Sequence, residues 1–387
     1  MKKILFIAGG IWQKSFVQYL KNKGNHISIV NPVSTPTTEL CDYHLECDVN
    51  NSEEIEKFIL DKNPDIITSD QSDISTAIVS SLSYKFNLPC NPPSVIRKFT
   101  DKYEIFNFAS SIGVRVPKTK LVKSLIDVLD FDCEFPIIIK PVDSTMSRGF
   151  VKINSSKDVD EDLLAHSLKF SKSKTLVAQE FIDGDMVTLE GVCSGSKHRT
   201  LAVSRKRKEE YFKAGIVSDV RYPADYDYKF LDEIISLNDR YVEESGMIFG
   251  LTHSEFIVKE QDICLIESGA RGGGAGIASE IVPWVSGVDS YDIFYRSLMG
   301  EVVDVKSLQL QERSALLRYY RKEDVNEDQA KRIAKLEGCK LFSYNFTGTQ
   351  FQPDVNDCRY SMAIYLTEND KEMKLVQENI NNIINIF

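Results

Sequence analysis

The sequence predicts a mixed fold: an N-terminal α/β unit with a doubly wound parallel sheet, followed by two α+β units. Three observations predict it. Over residues 1–97 short apolar runs alternate with segments whose apolar residues recur at helical spacing. Beyond a proline-rich bend, Leu88-Pro89-Cys90-Asn91-Pro92-Pro93, the pattern changes to strand, turn, strand. The length, 387 residues with 42% hydrophobic and 27% charged, supplies enough core for two or three domains.

In the first unit the strand candidates are Lys3–Ile7, Ile27–Val30 and Asp65–Thr68. The helical stretches lie around Ser15–Asn22, Glu53–Leu60 and Ile74–Phe86. The start, Met1-Lys2-Lys3 and then Ile4 to Ala8, has the charge and apolarity of a signal peptide, but the run breaks at Gly9-Gly10 without a cleavage-like site. It reads as a buried first strand. Ile11-Trp12-Gln13-Lys14 adds no glycine, so a dinucleotide-binding GxGxxG is absent and Gly9-Gly10 reads as a tight turn. No stretch approaches the roughly 20 apolar residues of a membrane span, which makes the cytoplasm the default compartment.

A helix is predicted at Tyr103–Ile112, with Ile105, Phe108, Ala109 and Ile112 on one face and a stop at Gly113. Residues 135–153 read as strand, turn, strand. A further sheet is expected from Leu176–Phe181, Val187–Cys193, Phe256–Val258 and Cys264–Glu267. The tail adds Ala315–Tyr320, Tyr360–Leu366 and a closing helix, Glu372–Ile384. The division is therefore 1–97, 98–175, 176–300 and 301–387.

Charge and cysteine content exclude several functions. The 47 basic and 57 acidic side chains leave a net −10, against a broad phosphate-tracking surface and so against nucleic acid as partner. The eight cysteines are scattered without a CxxC pair, which argues against a zinc site and for reduced, packed thiols.

Four constellations carry chemistry. Lys140 ends an apolar strand and precedes Pro141-Val142-Asp143-Ser144-Thr145-Met146-Ser147-Arg148-Gly149, a small hydroxylated turn suited to phosphate oxygens, although no Walker loop occurs. Gln179-Glu180-Phe181-Ile182 precedes a turn at Asp183-Gly184, where free backbone groups suit a nucleobase and nearby carboxylates suit ribose. Glu255 and Glu267 lie on two strands separated by a short turn, so antiparallel pairing brings their carboxylates together and calls for a hard cation. Ser268 to Gly276 holds five glycines in nine residues around Arg271, a loop able to wrap closely around a phosphate or acyl phosphate. Each pattern also occurs as an ordinary hairpin, exposed face or flexible loop.

In this order the motifs resemble the ATP-grasp superfamily of carboxylate-amine ligases, in particular its L-amino-acid ligase branch, over nearly the whole chain. The resemblance implies a Rossmann-like pre-ATP-grasp domain and two α+β subdomains gripping ATP. Thr100-Asp101-Lys102 is similar to the family's first phosphate-binding lysine, and Phe135 to Lys140 to the strand with the second. Ser144, Ser147 and Gly149 fall on its flexible loop, and Gln179, Glu180, Phe181 and Ile182 on its adenine hinge. The metal ligands implied are Glu255 and Glu267, for magnesium or, alternatively, manganese. The family's Glu-x-Asn-x-Arg reads Glu267-Ser268-Gly269-Ala270-Arg271, so glycine replaces the usual asparagine. Met186 stands where many members carry a ribose-binding glutamate, with Glu190 or Asp185 as the substitute.

The implied activity is ADP-forming ligation of a small carboxylate to an amine through an acyl phosphate, with Arg271 and Lys140 as catalytic cations. For substrate, the resemblance singles out the segment from Ser204 to Val217, with Arg207, and the residues themselves add Arg271 and Arg318. His253 either orients substrate or satisfies its hydrogen bonds in the core. A homodimer is the family expectation. A rival function is a nucleotide-binding sensor that has lost catalysis, favoured by Gly269 and Met186 and opposed by Lys102, Lys140, Glu255, Glu267 and Arg271 occurring together. Carbonate-using relatives rank lower because the chain lacks their doubled halves and biotin-carrier elements.

Overall fold

Strands β1 (Lys3–Ile7), β2 (His26–Val30), β3 (Tyr43–Leu45) and β4 (Ile66–Thr68) form a parallel sheet in the order β3-β2-β1-β4. Both faces of β1 are buried, as its uninterrupted apolar run demands when helices cover a parallel sheet on both sides. The predicted strands and helices of this unit are all present; β3, three residues long, escapes the sequence pattern. The computed structural model describes residues 1–144, 149–207, 217–321, 325–343 and 361–384.

The proline-rich bend does more than end this unit. Pro93 occupies the first turn of a helix, Pro93–Thr100, where a missing N–H costs nothing. The next helix, Lys102–Ser111, is capped by Asp101, whose carboxylate accepts from the amides of Tyr103 (2.9 Å) and Glu104 (3.2 Å).

A second, four-stranded sheet follows in the order β5-β8-β6-β7, from β5 (Thr119–Val122), β6 (Ile137–Pro141), β7 (Val151–Ile153) and β8 (Leu176–Glu180). Here the sequence-based division is corrected: β8, expected among the strands after residue 175, pairs antiparallel with β5 and β6. One face packs Ile137, Ile139, Ile153, Leu176 and Ala178 into a core. The register pairs Lys140 with Val177 and Ile138 with both Gln179 and Lys152, which puts Lys140, Lys152 and Gln179 on the other face.

The third sheet has eight strands in the order β13-β12-β9-β10-β11-β14-β16-β15. They are β9 (Asp185–Ser194), β10 (Lys197–Arg207), β11 (Asp219–Tyr222), β12 (Gly250–Lys259), β13 (Asp262–Gly269), β14 (Ser314–Tyr320), β15 (Cys339–Ser343) and β16 (Ser361–Thr367). On one face Val187, Leu189, Phe256, Val258 and Leu265 bury against the amphipathic helix Tyr228–Ser245. Each such side chain stabilises the layer by roughly 1.5–3 kcal/mol. The tail strands extend this same sheet, and helix Asp370–Ile384 covers them.

Among the described residues no helix is long and apolar enough to cross a membrane. The described cysteines, Cys41, Cys47, Cys90, Cys133, Cys193, Cys264 and Cys339, form no disulfide.

Candidate active site

The site is built on the face of the large sheet opposite its helix. Antiparallel register places Glu255 directly opposite Glu267, His253 opposite Gly269 and Glu190, and Glu255 opposite Thr188. Residues opposite one another share a face, so two carboxylates, the histidine and Glu190 stand together there. Ser204 pairs with Thr188, and Lys206, two residues further along β10, joins them.

Electrostatics explains how so many carboxylates coexist. Lys206 Nζ donates to Glu255 Oε1 at 2.5 Å, and His253 Nε2 lies 3.3 Å from the same oxygen. Burial alone raises the Glu255 carboxyl, but Lys206 and His253 outweigh it and hold Glu255 well below the ordinary carboxylate range. The other imidazole nitrogen, Nδ1, is 2.6 Å from Glu190 Oε1. Burial works against its charge and Arg271 adds to that, but Glu190 and Glu255 prevail and raise His253 above its usual value. His253 therefore bridges two glutamates, which favour its charged form.

The small sheet contributes the facing wall. Lys140 is buried and its ammonium is pushed down to about 7, first by loss of water, then by Lys102, with Glu267 and Glu255 opposing. Lys102, at the start of its Asp101-capped helix, donates to the Ser144 carbonyl at 2.6 Å and lies 3.7 Å from Glu267. It thus ties the segment after β6 to β13. Gly149 closes the hairpin at φ +72°, and a Cβ there would press on Phe170 and Pro141 at 3.0 Å. Ser147 lies outside the described residues.

At the hinge, Gln179 is 1% exposed and neither its amide oxygen nor its amide nitrogen has a hydrogen-bond partner. Such a group costs about 1–3 kcal/mol unless a ligand satisfies it. Glu180 is tied into the sheet instead: its amide donates to the Lys118 carbonyl at 2.9 Å, and its carboxylate accepts from the Lys118 amide at 3.0 Å. Lys152 Nζ sits 3.6 Å from the centre of the Phe181 ring, and Ile182 follows half-buried before the turn.

The glycine-rich loop after β13 brings in Arg271. Its Nε donates to Asp73 Oδ1 at 3.1 Å and its Nη1 to the Gly272 carbonyl at 3.2 Å. Burial opposes its charge, but Asp73, Glu267 and Glu190 raise its pKa, so the guanidinium stays charged. The Gly272 amide donates to the Asp70 carbonyl at 2.8 Å, which anchors this loop to the N-terminal unit. Asp70 is buried and pushed up to about 7 by desolvation, although Tyr291 and Gln71 hydrogen-bond it.

Three sequence-based placements change. Glu190, read as a ribose ligand, bonds His253; five residues into β9, it is about 17 Å along the strand from the hinge turn. Asp185, its alternate, is taken by Arg205 at 2.7 Å. Arg207 is exposed at the end of β10, on the face opposite Lys206, because successive strand residues alternate. Arg318 on β14 pairs with Asp219 at 3.6 Å, with four strands between β14 and β13. The sequence reading missed Lys206, Asp73 and Asp70. The two-residue period of β10 separates Lys206 from Arg207, and Asp70 and Asp73 follow the carboxyl end of a parallel strand, where ligands gather in such sheets.

The site thus combines a lysine-flanked hairpin, paired glutamates and an arginine on a glycine-rich loop. Residues 99–275 match the ATP-grasp domain, and the proteins this chain resembles include carboxylate-amine ligases. It is similar to the D-alanine–D-alanine ligase of Fusobacterium nucleatum, 26% identical over 179 residues, 45% of this chain and 56% of that one. The alignment thus spans little more than half the length of that ligase. In fold it resembles the L-amino acid ligase of Bacillus licheniformis, with a TM-score of 0.82, 15% identity and coverage of 99% and 97% of the two chains. It also resembles an ADP complex of N5-carboxyaminoimidazole ribonucleotide synthetase, with a TM-score of 0.78, 14% identity and coverage of 99% and 96%.

Proposed function

We propose that this protein is an ATP-dependent, ADP-forming ligase that activates a small carboxylate, an amino acid or related acid, as an acyl phosphate and joins it to an amine. The observation that carries the reading is the register of Glu255 opposite Glu267 in a cleft shared with Lys102, Lys140 and Arg271. The likeness to ligases named for D-alanine and L-amino acids supports an amino acid as the carboxylate.

Magnesium, or manganese, fits the donor set: two hard carboxylates side by side, each already beside a lysine, form a site that favours a further cation once nucleotide phosphates enter. When bound, it would supply neutralisation of the β- and γ-phosphates. The remaining work falls to side chains. Lys140, Lys102 and the loop closed by Gly149 hold the phosphates, while the unsatisfied Gln179 amide and the Phe181–Ile182 backbone hold the base. A substrate carboxylate oxygen attacks the γ-phosphorus, and the bond to the ADP oxygen breaks. Arg271 neutralises the transferring group. The amine then attacks the acyl carbon, phosphate departs with the bonding electrons, and the amine proton passes to solvent.

The test is ADP release from ATP and magnesium, screened against pools of carboxylic acids and amines. Turnover that requires one acid and one amine supports the ligase. Binding of ATP without stimulated turnover in any combination replaces it with the sensor reading, to which Gly269 and Met186 point.

A further inference from the structure

Arg271 is held by a residue from the other end of the chain. Asp73 is the first residue of helix Asp73–Lys85, in the N-terminal unit, and Ser72 caps that helix. The Asp73–Arg271 contact spans 198 residues of sequence, with side chains 11% and 17% exposed. The approach depends on a glycine. A Cβ at Gly269 would stand 3.0 Å from Asp73 Oδ1, 3.1 Å from Arg271 Nε and 3.3 Å from Arg271 Cγ. A side chain at residue 269 and the Asp73 carboxylate would therefore occupy the same space beside the same N–H.

We propose that Asp73 is a positioning residue for Arg271: reaching across from the N-terminal unit through the space that Gly269 leaves, it fixes the guanidinium by Nε. With Nε on Asp73 and one Nη1 hydrogen on the Gly272 carbonyl, the Nη2 hydrogens and the second Nη1 hydrogen can donate to an anion. This rests on the proposed role of Arg271 as an anion-binding group. It extends that reading by making the site dependent on the first unit. The carboxylate also offsets the burial of the guanidinium charge, which a planar fork fixed on one edge presents without further loss of side-chain freedom. Glycine at residue 269 is then a matched partner of Asp73 rather than a lost ligand.

The experiment titrates inorganic phosphate into the protein loaded with magnesium and ADP, by calorimetry. Asp73→Ala is expected to weaken phosphate binding about tenfold while ADP affinity stays within about twofold; Asp73→Asn, which keeps an acceptor for Nε, stays within about threefold of wild type. Gly269→Asn in the Asp73→Ala background supplies an amide oxygen from the other side and is expected to restore most of the loss. Gly269→Asn alone crowds Asp73 and weakens phosphate binding.

Unchanged phosphate affinity in Asp73→Ala overturns the proposal. So does a double variant that folds, by its melting curve, yet binds phosphate no better than Asp73→Ala. Equal losses of ADP and phosphate affinity in Asp73→Ala mark general damage and overturn it as well. Arg271→Ala separates the two readings: if it leaves phosphate binding intact, the anion role of Arg271 fails, whatever Asp73 does.

Discussion

Glu255 and Glu267 stand directly opposite each other across β12 and β13, with a lysine beside each: Lys206 2.5 Å from Glu255 and Lys102 3.7 Å from Glu267. Two carboxylates on adjacent strands repel in isolation. Here their charge is balanced from two directions, by β10 and by the helix that opens the ATP-grasp region. Glu267→Gln removes half of this cation site while conserving shape. We expect it to lower ADP release by at least about a hundredfold, as loss of a charge-stabilising group at a reacting phosphate does. Wild-type rates for Glu267→Gln would remove the metal site as drawn.

Lys140 gives the nucleotide step a pH dependence. Free, the buried ammonium loses its proton near pH 7, whereas phosphates favour its charged form. Below that pH binding needs no proton. Above it, binding draws one in, and affinity falls by up to about tenfold per pH unit. Calorimetry of ATP binding at pH 8 in two buffers of different ionisation enthalpy reports the uptake. Lys140→Arg, charged throughout, loses that contribution. Equal uptake in both proteins would mean that Lys140 is not the group.

Asp70 predicts a pH effect on stability rather than on binding. Its folded-state pKa of about 7 exceeds its ordinary value of 3.8, so the folded protein retains a proton that the unfolded chain has released. Stability is therefore lost as pH rises from about 4 to 7, by up to a few kcal/mol, and the loss is complete above 7. Asp70→Asn keeps the shape without the charge. It should melt higher than wild type at pH 8, with the gap closing as pH falls towards 4. A constant gap across this range would mean that burial of the Asp70 charge is not its cause.

Gln179 predicts base selection. One amide offers a donor and an acceptor, which match N7 and the amino group of adenine, whereas guanine presents two acceptors on that edge. Replacing it by leucine should weaken ATP binding about tenfold, the worth of one or two net hydrogen bonds, and abolish preference over GTP. Competition titration with the two nucleotides reads both. A preserved preference would assign base reading to the backbone alone.

Much of this was legible in sequence because it is local. The runs at Lys3–Ile7 and Ile137–Lys140 express a strand's apolar pattern within a few residues. The short turn at Glu260 and Asp262 even brought Glu255 and Glu267 together, since a hairpin's register follows from its loop. Motif order supplied the rest of the family reading.

The sequence by itself determined most of the strands, the pairing of Glu255 with Glu267, and the glycine-rich loop with its arginine. Tertiary structure alone decided which cations face the cleft, because Lys206 and Arg207 differ only by the alternation of a strand whose register is set by β9 and β11. It moved β8 into the small sheet and Glu190 beside His253, both consequences of pairing between segments far apart in the chain. It also brought Asp73 to Arg271 through the gap at Gly269, where contact depends on how two units pack and local propensity carries no information about that packing.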